Sequence, residues 1–102
     1  MEYIYGGVYR IRVSIDSANG VTLSNSEWEL VFSAGRKTTT VASGVVINDN
    51  EVDVFLDTSK LTTGVLKAQL NMTIVDTDAP TGRRLVPVIV TNGDDYIVPS
   101  LG

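Results

Sequence analysis

The chain has 102 residues, 43% hydrophobic and 20% charged, with a formal net charge of -4 and neither cysteine nor histidine. Such a length fits one domain with its own core. The missing cysteine excludes disulfides, thiolate nucleophiles and sulfur-ligated metals, and the missing histidine removes the side chain that does most acid-base work near neutrality.

The eight basic residues are scattered apart from Arg36-Lys37 and Arg83-Arg84, so no stripe exists to neutralise many phosphates, and nucleic acid is not an expected partner. No run of about eighteen apolar residues occurs, and the opening MEYIYGGVYR lacks the basic start and apolar stretch of a signal peptide. No membrane partner is expected. If Met1 is the native start, synthesis in a cytoplasm follows. Fifteen valines and eleven threonines, stiff at the first side-chain torsion, favour strands over helices.

The first periodic segment, VYRIRVSID over residues 8–16, turns Tyr9, Ile11, Val13 and Ile15 to one side and Arg10, Arg12, Ser14 and Asp16 to the other, which predicts a half-buried strand. Ser17 to Gly20 supplies turn chemistry, and a polar loop is expected up to Ser26. Over residues 27–32 Trp28, Leu30 and Phe32 point inward, with Trp28 expected at the centre of the core. A turn at Ala34-Gly35 leads to a polar strand over residues 38–43, expected near a sheet edge.

Residues 45–47 and 52–56 read as a hairpin closed by Asn48-Asp49-Asn50, whose side chains bond their own backbone and accept left-handed conformations. Asp57 is placed to cap one helical turn over residues 58–60, which the chain leaves at Gly64.

Leu66, Ala68, Leu70, Met72 and Ile74 then form the longest alternating row, opposed by Lys67, Gln69, Asn71 and Thr73. After a loop over residues 76–82, residues 85–91 carry apolar side chains on both parities. Pro87 lacks an amide hydrogen, so this strand belongs at an edge or at a bulge. A turn at Asn92-Gly93 precedes a short strand or tail over residues 96–98.

Seven or eight short strands without a crossover helix predict an all-β, antiparallel sandwich occupying residues 1–102 as a single domain. A partly open barrel is the structural alternative. Residues 1–7 and 99–102 are expected to be flexible or bound to a partner.

No serine elbow, phosphate loop or metalloprotease motif is present, so neither catalytic residues nor a cofactor or small-molecule substrate are expected, and the chain is not read as an enzyme. Asp49, Glu51 and Asp53, the pair Asp76 and Asp78, and Asp94-Asp95 lack the dense, glycine-punctuated ligand spacing of a calcium cage and read as solvated carboxylates. No metal is expected, calcium at one of these loops being the minor alternative. Lys67 and Asn71 share a polar strand face, and Asn71-Met72-Thr73 matches a glycosylation acceptor; solvated side chains account for both.

Partner contacts are expected at five residues. Tyr3 and Tyr5 precede the first firm strand and either meet a neighbouring chain or belong to a disordered tail. Val86, Val88 and Val90 oppose Leu85 and Ile89, so this strand carries a second apolar face that needs cover, from the tail over residues 96–101 or from another subunit.

Residues 51–90 carry an alternating strand, an Asp-led turn, Leu61 and Gly64, a second long alternating strand, and an acidic loop with proline and glycine before a basic pair. This half of the chain resembles immunoglobulin-like N-terminal domains of phage baseplate and tail-appendage proteins. It is similar in particular to those of phages and prophages of gut Bacteroides-type bacteria and to the baseplate upper protein group.

Two departures stand out. The loop reads Pro80-Thr81-Gly82 where those relatives tend to have Pro-Asp-Gly, and a larger downstream part usually follows in them. The resemblance implies a virion structural role: assembly contacts with other virion proteins of baseplate, tail or capsid, or with copies of itself as a homo-oligomer, and no chemistry. A glycan- or surface-binding module of a bacterial protein is the alternative.

Overall fold

The computed structural model describes residues 1–15, 22–90 and 94–101. The turns expected at Ser17 to Gly20 and at Asn92-Gly93 lie outside the described residues. Among the described residues ten strands follow in order: β1 (Glu2–Ile4), β2 (Val8–Ser14), β3 (Glu27–Ala34), β4 (Lys37–Val41), β5 (Val45–Asn48), β6 (Glu51–Asp57), β7 (Gly64–Val65), β8 (Lys67–Val75), β9 (Arg83–Ile89) and β10 (Tyr96–Val98). The only helical pieces among the described residues are 3-10 turns at Leu23–Asn25 and Thr58–Lys60.

The protein is an all-β sandwich. A four-stranded sheet ordered β4-β3-β8-β9 and a three-stranded sheet ordered β2-β6-β5 contribute their inward residues to one core, and a small sheet ordered β1-β10-β7 adds Tyr3 and Ile97. Every pairing is antiparallel except β1 with β10. The count exceeds the seven or eight strands expected from periodicity because β1, β7 and β10 have only two or three residues, too few to register a period of two.

The long alternating row supports the sandwich as its spacing predicts. Met72 stands opposite Trp28, Leu70 opposite Leu30 and Ala68 opposite Phe32, so the apolar rows of β8 and β3 share one face. The centre of the core, however, is formed by Phe32, Leu30, Leu56 and Leu70 rather than by Trp28. Trp28 stands near the start of β3 and packs against the core while only half-buried. Ile74 is likewise half-buried near the far end of its row.

Local signals build the connections. The β5–β6 hairpin closes with the Asn50 amide donating to the Asn48 side-chain oxygen at 2.9 Å, and Asn48 Nδ2 donating to Glu51 at 2.7 Å. The Asp57 carboxylate accepts from the Ser59 amide at 3.0 Å and the Ser59 hydroxyl at 2.6 Å, capping the 3-10 turn; these bonds hold its pKa below the ordinary value. Gly35 takes φ +61 in the β3–β4 link, where a Cβ would overlap the Thr62 hydroxyl. That hydroxyl donates to the Ala34 carbonyl at 2.8 Å and ties the hairpin to the segment that enters β7.

The loop expected to be merely polar before Ser26 instead contains buried Leu23, held by its amide on the Asp49 carbonyl at 2.9 Å. A single leucine within a polar stretch carries no periodicity. Its role emerges only when the β5–β6 turn comes alongside.

Candidate interaction surface

Strand β6 carries an unusual feature for the middle of an outward face. Asp53 is 3% exposed, although its neighbours of the same parity, Glu51 and Phe55, are half-buried and 58% exposed. The register explains this. Arg12 on β2 lies opposite Asp53 and Arg10 lies opposite Phe55, so two long side chains close over one carboxylate.

Arg12 Nε donates to Oδ1 at 2.8 Å and its Nη2 to Oδ2 at 3.1 Å, while Arg10 Nε donates to Oδ2 at 3.0 Å and its Nη2 stands 2.8 Å away. The guanidinium of Arg10 also lies 5.9 Å from the centre of the Phe55 ring. Hydrogen bonds from Arg12, then from Arg10, overcome the cost of burying the charge and hold the Asp53 carboxyl down from the ordinary 3.8 to about 2. The cluster carries two positive charges and one negative, a local surplus of one on an acidic chain.

Across the same sheet lies strand β5. Its four residues are all exposed, including Val45, Val46 and Ile47, and among the described residues it pairs with β6 alone. The register shifts between Val46 and Asn48, which leaves Ile47 without a partner on β6. Together with exposed Phe55, β5 forms an apolar margin without lysine, arginine or proline to block pairing by another strand.

Strand β9 is the opposite margin of the larger sheet. Pro87, opposite Asn71, fits there because among the described residues the strand pairs through its backbone only with β8. Its two acidic contacts, Arg83 with Glu27 at 3.2 Å and Arg84 with Asp76 at 3.0 Å, pin its first residues.

The five residues expected at a partner contact fall in different places. Tyr3 is 7% exposed and gives its ring to the core, edge-on to Tyr9 at 5.0 Å. Tyr5 is exposed, with its hydroxyl 3.5 Å from the Ser59 carbonyl. Val86, Val88 and Val90 are half-buried against the core, while Leu85 and Pro87 are exposed on the outward side. In the chain's own tail, strand β10 pairs with β1 and β7 rather than with β9. That pairing also orders residues 2–4, and the Met1 ammonium donates to the Asp94 carbonyl at 2.8 Å.

Two features escaped the sequence reading. By spacing Asp53 belongs with the solvated acids, because its burial arises from which strand pairs with β6, and no local spacing encodes that. The exposure of β5 on both faces is equally hidden, since the run Val45-Val46-Ile47 marks a hairpin arm and carries no sign of which face is covered. Among the remaining carboxylates, Asp49 accepts from the Ser24 hydroxyl at 2.7 Å and Asp76 is held by Arg84. Asn71 accepts from Gln69 at 2.8 Å.

No family model, no curated protein and no solved structure matches this chain.

Proposed function

We propose that this protein is a non-enzymatic structural module of a phage virion, an immunoglobulin-like sandwich that makes assembly contacts in a baseplate, tail or capsid, with copies of itself or with other virion proteins. The observation that carries the reading is the unprotected β5 margin. Val45, Val46 and Ile47 expose apolar side chains on a free sheet edge, and Phe55 extends the patch across β6. Soluble proteins ordinarily blunt such an edge with charge, proline or cover, and an unblunted one favours strand pairing. The resemblance of residues 51–90 to phage baseplate domains supplies the kind of assembly.

The test is mass spectrometry of purified particles from a strain that carries the gene. Recovery of the chain in stoichiometric amount with tail, baseplate or capsid proteins supports the reading. Recovery only in the particle-free fraction overturns it, and specific binding on a glycan array would then favour the surface-binding alternative.

A further inference from the structure

The two main sheets are unequal, three strands facing four. Strands β4 and β5 are joined by residues 42–44 alone, and β4 contacts β6, so β4 and β5 lie along one side of the sandwich. Strands β2 and β9 therefore end on the other. Among the described residues β9 has no strand of the smaller sheet opposite it there, which accounts for the incomplete burial of Val86, Val88 and Val90 although they face inward. Beside them β2 hydrogen-bonds only to β6 among the described residues, and its inward Tyr9 and Ile11 are also half-buried. A cavity of about 240 Å³ opens beside the β2 margin, walled by Ile11 and Val13 of β2, Ala68 of β8 and Val90 just past β9, with Tyr3 of β1 and Asp95 also in its wall.

We infer that this seam is an acceptor for one additional strand, donated by another polypeptide, that pairs with the free edge of β2 and covers the valine row of β9. An added strand would satisfy the outer row of β2 backbone groups and bring the smaller sheet to four strands. Strand addition of this kind gains specificity from alternate side chains, and both parities are constrained here.

Inward positions meet Ile11, Val86, Val88 and Val90 and call for apolar residues. Outward positions lie beside Arg10 and Arg12, which share the one carboxylate of Asp53 and so leave a surplus positive charge, whereas Arg83 and Arg84 at the start of β9 are already paired with Glu27 and Asp76. The donor is therefore a segment alternating apolar residues with carboxylates. A second copy pairing β2 against β2 would set arginines against arginines, which disfavours that occupant. The inference rests on the assembly role proposed above and names the chemistry of one partner.

Two capped seven-residue peptides test it, one alternating glutamate and valine, the other lysine and valine, each N-methylated on alternate amides so that one edge only can pair. Each is titrated into the isotopically labelled full chain and followed by amide chemical shifts. The glutamate peptide is expected to move the amides of Ile11, Val86 and Val88, to bind at least tenfold more tightly than the lysine peptide, and to weaken severalfold with Arg10→Gln.

Arg10 is exposed and its loss leaves both Arg12 bonds to Asp53 in place, so a folded variant is expected. The inference is overturned if neither peptide binds at millimolar concentration, if both bind equally, or if the shifts map to β5. The two proposals fail separately. A chain absent from particles that still takes the glutamate strand refutes the virion role alone, and a particle component that takes no strand refutes the seam alone.

Discussion

Arg12 and Asp53 stand opposite each other on neighbouring strands, and the guanidinium meets both carboxylate oxygens, at 2.8 and 3.1 Å. Arg10 completes the cover from the next outward position of β2. The pair is a paired buried charge on the outside of a sheet, so its effect on stability depends on the ionisation of Asp53.

Because folding lowers the Asp53 pKa from 3.8 to about 2, the folded state favours the ionised form. Its stabilising contribution is complete above about pH 4 and is lost as pH falls through 2, since the unfolded chain binds the proton first. Thermal melts between pH 5 and 2 are expected to show a declining Tm across that window. Asp53→Asn should lower Tm at pH 7, where it leaves two guanidiniums without their shared anion, and flatten the decline below pH 4. An unchanged acid slope in the variant would show that other carboxylates control it.

Gly44 illustrates a second kind of constraint. A Cβ there would stand 2.5 Å from the Asp53 carbonyl and 2.9 Å from a Val54 methyl, and the backbone of the central strand β6 cannot yield. Gly44→Ala is expected to destabilise by about 1–3 kcal/mol through overpacking. Urea unfolding reads this as a lowered midpoint at constant slope.

Thr58 is fully buried at the turn after β6, with its hydroxyl 2.8 Å from the Gly7 carbonyl and 3.0 Å from the Ile4 carbonyl. One hydroxyl proton serves one carbonyl at a time. Each carbonyl also has a backbone donor, Thr58 N for Gly7 at 3.0 Å and Gly7 N for Ile4 at 3.2 Å, so removing the hydroxyl orphans neither. Thr58→Val should therefore cost only about 1 kcal/mol, the net value of an ordinary hydrogen bond. Denaturant titration that found a loss several times larger would show that the hydroxyl is indispensable to the link between β1 and β2.

Periodicity located the half-buried strands because each exposes one face to water. The rows of β2, β3 and β8, the Asn48 hairpin, the Asp57 cap, the polar margin at β4 and the marginal place of Pro87 all follow from patterns within a few residues. What stayed hidden depends on pairing between distant segments. The centre of the core shifted from Trp28 to Phe32 because only the sandwich packing decides which part of β3 lies deepest. That shift is measurable: Phe32→Ala should cost about 3–5 kcal/mol, a large share of the stability of a domain this size, whereas Ile74→Ala at the half-buried end of its row should cost about 1.

Ile47 offers the most direct probe of the β5 margin. It is exposed, it lies in the register shift and it has no partner on β6, so a polar replacement disturbs little of the fold. Ile47→Lys should leave unfolding free energy within about 0.5 kcal/mol of the parent. On the edge itself a lysine acts as natural edge strands use it, resisting the approach of another strand. If the β5 margin makes the assembly contact, incorporation of the variant into particles is expected to drop roughly tenfold, equivalent to about 1.4 kcal/mol, in competition with the parent chain. Equal incorporation at equal stability would place the contact elsewhere and leave the exposed valines of β5 without a role in assembly.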